Sequence, residues 1–286
     1  MCIQVNSVDF SKLKLKLKQR LELLLRHISF FCNNLLWLCL SCTAVNLRFR
    51  RMVGAPWPLV SPALISDRWV LTAGRNLFVY LGITRYSQAN DSKEVAVEKV
   101  SGSAPRLQSV SDWDNDLALI QLKEPFTLSE AVMPIPLPER GEDLAEAAQE
   151  KGIITGWGWG VHFTPAESLK HLVLPVASHS FCKAEYNRGG STPTIDDNMF
   201  CTGASKYQEN VCFGDAGGAL AVQDPKDGRV YAAGILSFDK ACAVRKYAVY
   251  MKLSAYMPWI NSVLRGDSEK SASLRSVAIK KQVAYS

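Results

Sequence analysis

From Ala63 to Leu253 the chain is a succession of short apolar runs, each stopped within a few residues by Gly, Pro, Asn or Asp. The runs are Ala63-Leu-Ile-Ser, Trp69-Val-Leu-Thr, Glu94-Val-Ala-Val, Leu117-Ala-Leu-Ile-Gln-Leu, Gly152-Ile-Ile-Thr, Leu172-Val-Leu, Leu220-Ala-Val, Val230-Tyr-Ala-Ala-Gly-Ile-Leu and Val249-Tyr-Met-Lys-Leu. They are too short for packed helices and rich in β-formers, so they predict strands. Strands at this regular spacing predict an all-β sandwich or barrel. Helical periodicity is expected only over Tyr256–Leu264, with apolar residues at 257, 260, 263 and 264. Residues 265–286 turn polar and predict a loose tail.

The chain has 286 residues and a formal charge of +6, but the charge is unevenly spread. Residues 1–51 carry nine Lys/Arg against Asp9 and Glu22, a net +7, which leaves the rest at −1. A near-neutral body lacks the basic face that phosphate binding needs, so no nucleic-acid partner is expected. Ile28–Leu47 is a 20-residue uncharged run, preceded by basic residues and containing the small-residue stretch Ser41-Cys-Thr-Ala44. This pattern predicts a secretory signal over 1–44, with an atypically long basic start, cleaved after Ala44. The alternative is a single-pass signal anchor, since about 20 apolar residues span a bilayer.

Of eight cysteines, four (Cys2, Cys32, Cys39, Cys42) fall in that segment. Cys182, Cys201, Cys212 and Cys242 remain, an even number in an exported chain, so disulfides are expected. Their spacing leaves all three pairings open. His27, His162, His171 and His179 have no metal-ligand spacing, and neither a metal nor a cofactor is expected.

Four segments carry chemistry in a telling order: Trp69-Val-Leu-Thr-Ala-Gly-Arg-Asn76, Asp114-Asn-Asp-Leu-Ala-Leu-Ile120, Thr155-Gly-Trp-Gly158 and Cys212-Phe-Gly-Asp-Ala-Gly-Gly218. From about Met52 to Leu264 the chain resembles the chymotrypsin-like serine protease family. The resemblance implies two six-stranded antiparallel barrels and a short C-terminal helix. It places the general base at Arg75, the orienting aspartate at Asp116 and the nucleophile at Ala216. Arginine stays protonated and cannot act as a base, and alanine has no nucleophilic atom. The degenerate triad Arg75, Asp116, Ala216 therefore predicts an inactive homologue. Asn210 falls at the pocket base, and Asp239 and Ala248 replace glycines of the pocket wall.

The stretches Phe200–Gly218, Gly234–Val244, Ala131–Ile135 and Leu71–Phe78 are similar to a non-catalytic plasma branch of that family, which captures free haemoglobin. This resemblance implies a haemoglobin αβ dimer as partner, uptake by a scavenger receptor, and disulfides Cys182–Cys201 and Cys212–Cys242. It also implies activation-type cleavage at Arg51–Met52, with Asp215 as partner of the new amino terminus. Lys206, Tyr207, Phe238, Asp239 and Lys240 are the expected haemoglobin contacts, with Phe213 a further candidate anchor. Pro136 stands where that branch carries a tethering cysteine, and only seven residues lie between Ala44 and Met52, so no complement-control module and no disulfide-linked light chain are expected. Met52 to Arg75 is short for the family, so the first barrel is expected truncated. The resulting layout is a signal (1–44), a pro-segment (45–51), a protease-like domain (52–264) and a tail (265–286). Asn90-Asp-Ser92 is an N-glycosylation acceptor. The alternative function is a pseudoprotease ligand of a receptor, without haemoglobin binding.

Overall fold

The computed structural model describes residues 45–49, 61–73, 77–91, 97–101, 115–138, 151–160, 162, 164–188, 193–206, 209–225, 228–239 and 242–266. All belong to the contact unit Leu40–Ser286 rather than to Met1–Cys39. The expected signal segment, the Arg51–Met52 bond, Arg75, Tyr207, Lys240 and the tail beyond Gly266 lie outside the described residues.

Six strands of the second half form one antiparallel sheet. They are β7 (Lys151–Gly156), β8 (Lys170–Pro175), β9 (Met199–Thr202), β10 (Ala219–Gln223), β11 (Val230–Asp239) and β12 (Ala248–Lys252). Their order is β8-β7-β10-β11-β12-β9. The two ends meet through a Val176–Thr202 bridge, with Ala177 N–H donating to Cys201 O at 2.8 Å and Gly203 N–H to Pro175 O at 2.7 Å. Closure removes both edges and makes a barrel. Alternation explains the strands: in β7 the buried positions are Gly152, Ile154 and Gly156, in β8 Leu172 and Leu174. Ile154, Leu172, Leu174, Phe200, Val211, Leu220 and Leu236 fill the interior with Tyr250, which stacks on Phe200 at 5.2 Å. Each fully buried side chain of this kind stabilises by about 1.5–3 kcal/mol.

Among the described residues the first half does not close into one barrel. β2 (Ala63–Leu64), β3 (Trp69–Thr72), β5 (Val97–Ser101) and β6 (Ala118–Leu122) form a four-stranded sheet in the order β2-β3-β6-β5. β1 (Val45–Phe49) and β4 (Leu77–Leu81) make a separate antiparallel ribbon. The architecture is the expected all-β fold with one complete barrel and, among the described residues, one open half, as the shortened Met52–Arg75 stretch predicts.

Among the described residues there are three helices: α1 (Gln88–Asp91), α2 (His179–Asn187) and α3 (Leu253–Leu264). The expectation of a single helix is corrected by α2, whose polar sequence His-Ser-Phe-Cys-Lys-Ala-Glu-Tyr-Asn buries only Cys182 and Tyr186. α3 begins three residues earlier than predicted and buries Leu253, Tyr256, Ile260 and Val263, while Leu264 is exposed. That face packs into the core cluster containing Leu71, Leu117 and Leu119 of the first half and Ile235 and Val249 of the second. No helix among the described residues is long and apolar enough to cross a membrane.

Candidate functional site

The site is built where the end of β3, the start of β6 and the β9–β10 connection meet. Asn115 turns the chain into β6 with φ of 55°, and its side-chain oxygen accepts a hydrogen bond from Tyr256 Oη of α3 at 3.0 Å. Positive φ is costly outside glycine but tolerated by asparagine. The C-terminal helix thereby fixes the residue next to Asp116. Asp116 accepts a 2.7 Å hydrogen bond from Ser237 Oγ of β11.

The connection from Cys212 to Gly218 is a tight turn pair. Asp215 N–H donates to Cys212 O and Gly218 N–H to Asp215 O, both at 2.9 Å, and Gly217 N–H donates to Leu236 O at 2.6 Å. Gly214 and Gly217 take φ of 97° and 91°, conformations that side chains rarely adopt. The Cys212–Cys242 disulfide ties the start of this turn to the loop after β11, and Cys182–Cys201 ties α2 to β9. Thr72 Oγ1 donates to Ala73 O and Gly217 O at 3.3 Å, so the end of β3 abuts the turn. Arg75 follows Ala73 by two residues. At the apex Ala216 is exposed and offers a methyl group.

Asp215 points the other way, into the protein, and is 3% exposed. Its carboxylate accepts N–H bonds from Gly158 and Cys212, both at 2.9 Å. Burial pushes its pKa up to about 6, against the lowering effect of those two N–H groups and the Lys170 charge. Gly156 and Gly158 make room for it: a Cβ on either would overlap the carboxylate. The Thr155-Gly-Trp-Gly158 segment is thus the cradle of Asp215.

Asn210 is buried with both ends of its amide used. Its Nδ2 donates to Ala243 O and Lys246 O at 3.1 Å, and its Oδ1 accepts from Val211 N–H at 2.9 Å. It staples the 242–246 loop to the β9–β10 connection. Asn210→Ala is expected to cost about 2 kcal/mol, measured by urea unfolding, because two carbonyls and an N–H lose their partner. Asp239 is half-buried, with Oδ1 accepting from Cys242 N–H at 3.2 Å.

Of the expected haemoglobin contacts, Lys206 is exposed. Phe238 is 9% exposed, with its ring edge-to-face on Tyr186 at 5.6 Å. A register shift in β11 between Leu236 and Phe238 accompanies this inward placement. Asn90 lies in α1, and its side chain is outside the described residues. The alternation Gly156-Trp-Gly-Trp-Gly160 carried one unread signal. Trp159 meets Phe213 edge-to-face at 5.5 Å, and Phe213 stays 53% exposed beside the turn. Lys170 supports the pair from below, bonding Trp159 O at 3.3 Å and Glu209 at 3.1 Å.

The sequence model of the trypsin family matches residues 60–260. The chain belongs to the trypsin family. Within it the chain is similar to haptoglobins: 38% identical over 230 residues to that of Cervus elaphus, covering 72% of this chain and 55% of the relative. It is 37% identical over 227 residues to that of Canis lupus familiaris, covering 71% and 66%. For that of Homo sapiens the figures are 35% over 227 residues, 70% and 52%. The chain spans between about half and two thirds of the length of these relatives. The turn around Ala216 lies inside the region that the trypsin-family model matches.

Proposed function

We propose that the chain is a secreted, non-catalytic pseudoprotease that binds the haemoglobin αβ dimer, with a scavenging, antioxidant role. The observation that carries the reading is Ala216. The turn keeps its two positive-φ glycines and its seated Asp215, yet its exposed apex presents a methyl group. Hydrolysis of an acyl bond needs a nucleophile there and a base beside it. Arg75, at the sequence position of the base, keeps its proton at any physiological pH. Asp116, with no histidine at position 75 to orient, bonds Ser237 instead. Similarity to haptoglobins over some 70% of the chain supports the partner.

In this reading Lys206, Tyr207, Asp239 and Lys240 contribute to the haemoglobin face, Asn90 carries a glycan, and a scavenger receptor clears the complex. Cleavage at Arg51–Met52 delivers a Met52 ammonium to Asp215. The test is gel filtration of the secreted chain with haemoglobin dimer, read at the haem absorbance. Haem co-eluting in a larger species is expected. No shift from a folded, monodisperse chain sinks the reading and favours a receptor ligand. Fluorogenic peptides are expected to show no turnover, and Ala216→Ser alone is expected to stay silent because Arg75 cannot accept the proton.

A further inference from the structure

β4 is anchored on two sides and completed on its edge by a strand from far upstream. Val79 is fully buried among Leu64, Val70, Ile120, Leu122 and Val132. Its neighbour Tyr80 is buried in a second cluster with Ile83, Ala89 and Trp157. Successive strand residues point to opposite faces, so β4 is held by packing on both. Yet it lies outside the four-stranded sheet, and among the described residues its one strand partner is β1.

A strand held this way needs its edge N–H and C=O groups paired. β1 pairs with it antiparallel over its whole length, Val45 opposite Leu81, Leu47 opposite Val79 and Phe49 opposite Leu77. The β1 sequence alternates to match: Val45, Leu47 and Phe49 are apolar, Asn46 and Arg48 polar. The chain then runs into Arg50-Arg51, a dibasic pair of the kind that processing proteases cut. The strand completing β4 is therefore joined to the body through the bond read above as cleavable.

We propose that the β4 edge is an acceptor site for an extended peptide with apolar residues at alternate positions. Val45–Phe49 is its resident ligand, and cutting the chain after Arg51 turns that ligand from tethered to exchangeable. The inference uses the cleavage reading but not haemoglobin binding. Recognition is by strand addition, with main-chain bonds giving affinity and alternate side chains giving specificity. While tethered, β1 meets β4 at an effective concentration in the millimolar range, which excludes competitors. Once cut, it is paired to β4 by a five-residue ladder with no covalent tether, and isolated ribbons of that size are marginal in water.

The probe is a fluorescein-labelled peptide of residues 45–51, followed by anisotropy. Three forms of the full chain are compared: intact, cut after Arg51 and freed of its N-terminal piece by gel filtration, and intact with Asn46→Pro and Leu47→Pro together. Of two successive strand residues one directs its N–H at the partner, so the double change removes a ladder bond whichever it is. The cut chain and the proline variant are expected to bind the peptide saturably, at least about a hundred-fold tighter than the intact chain. Unlabelled peptide competes, and the same peptide with both prolines does not. Equal binding by intact and vacated chains, equal binding of both peptides, or no binding by either vacated form overturns the proposal. Loss of the near-UV circular dichroism signal in both vacated forms does so too, because an acceptor must outlast the departure of its ligand.

Discussion

Gly158→Ala is expected to destabilise the chain by about 4 kcal/mol in urea unfolding, against the ordinary sign of such a change. Gly→Ala at a compatible position usually stabilises by about 0.4–1 kcal/mol, through the entropy of the unfolded chain. Gly158 is not among the glycines with positive φ, so its backbone places no demand for glycine. The demand comes from Asp215. A Cβ at Gly158 would stand inside the carboxylate, which is fully buried and has nowhere to retreat. To escape it must leave the Gly158 and Cys212 N–H groups, its hydrogen-bond donors. Each charge-assisted bond is worth about 1.5–3 kcal/mol, and a buried carboxylate without partners costs more than an unpaired neutral group. The two effects oppose each other and the larger wins. Adding Asp215→Ala to Gly158→Ala is expected to recover more than half of the loss, a coupling that independent sites do not show. Additive effects, or a neutral single variant, would mean that Gly158 serves the chain in some other way.

This dependence shows which parts of the site were legible in the sequence. The segments around Asp116, Gly158 and Ala216 were readable because the turn conformations tie particular residue types to fixed offsets. Gly217 must take a φ of 91° with Thr72 close against it, and that requirement is written as a glycine at one position. Strands β7 and β8 were readable for another reason: one face is buried, and the burial alternates along the sequence. Three elements lacked such signatures. β9 is four residues, Met-Phe-Cys-Thr, all buried, so it has no alternation to read. β4 is a run of apolar residues for the same reason, with neighbours packed on both faces. α2 has a polar sequence and no side-chain cap bond at Ser178, and what marks it is the tertiary placement of Cys182 and Tyr186. The burial of Phe238 was hidden for a subtler reason. Its position was readable, but its direction depends on the register shift after Leu236, which no local pattern announces. The pairing of β1 with β4 joins residues more than twenty positions apart across a hairpin, and only the folded chain reveals it.

The dependence of stability on pH is the second large effect, and it turns on the same carboxylate. Desolvation raises Asp215 from 3.8 to about 6, so the folded chain holds this proton more tightly than the unfolded chain does. Between those values the folded state binds the extra proton, and stability must fall as pH rises through the window. The full contribution is present below pH 3.8, where both states are protonated, and is lost above about 6. At pH 7.5 the ionised, buried carboxylate costs the folded chain on the order of 3 kcal/mol relative to its protonated form. Asp215→Asn resembles the protonated group in shape and charge and cannot titrate. Unfolding midpoints of both chains from pH 4 to 7.5 are therefore expected to diverge, the original chain losing ground to the variant by that amount. Parallel profiles would assign the slope to other groups. Cleavage at Arg51–Met52 supplies the sharper arm of the experiment. If a Met52 ammonium reaches Asp215, an opposite charge joins the two N–H donors and favours the ionised form, against the desolvation that now prevails. The folded pKa then drops below the unfolded 3.8, so this carboxylate's stability gain with rising pH lies below about pH 5 and its contribution is level from there to pH 7, in place of the loss expected before cutting. The contribution declines only where the amino group loses its proton, near pH 8 or above. Disappearance of the downward slope between pH 4 and 7 on cutting, a change absent in Asp215→Asn, is the outcome expected of a chain that keeps the family's activation switch after losing the nucleophile beside it. An unchanged slope on cutting would separate Asp215 from the amino terminus and leave it a carboxylate held by its glycine cradle alone.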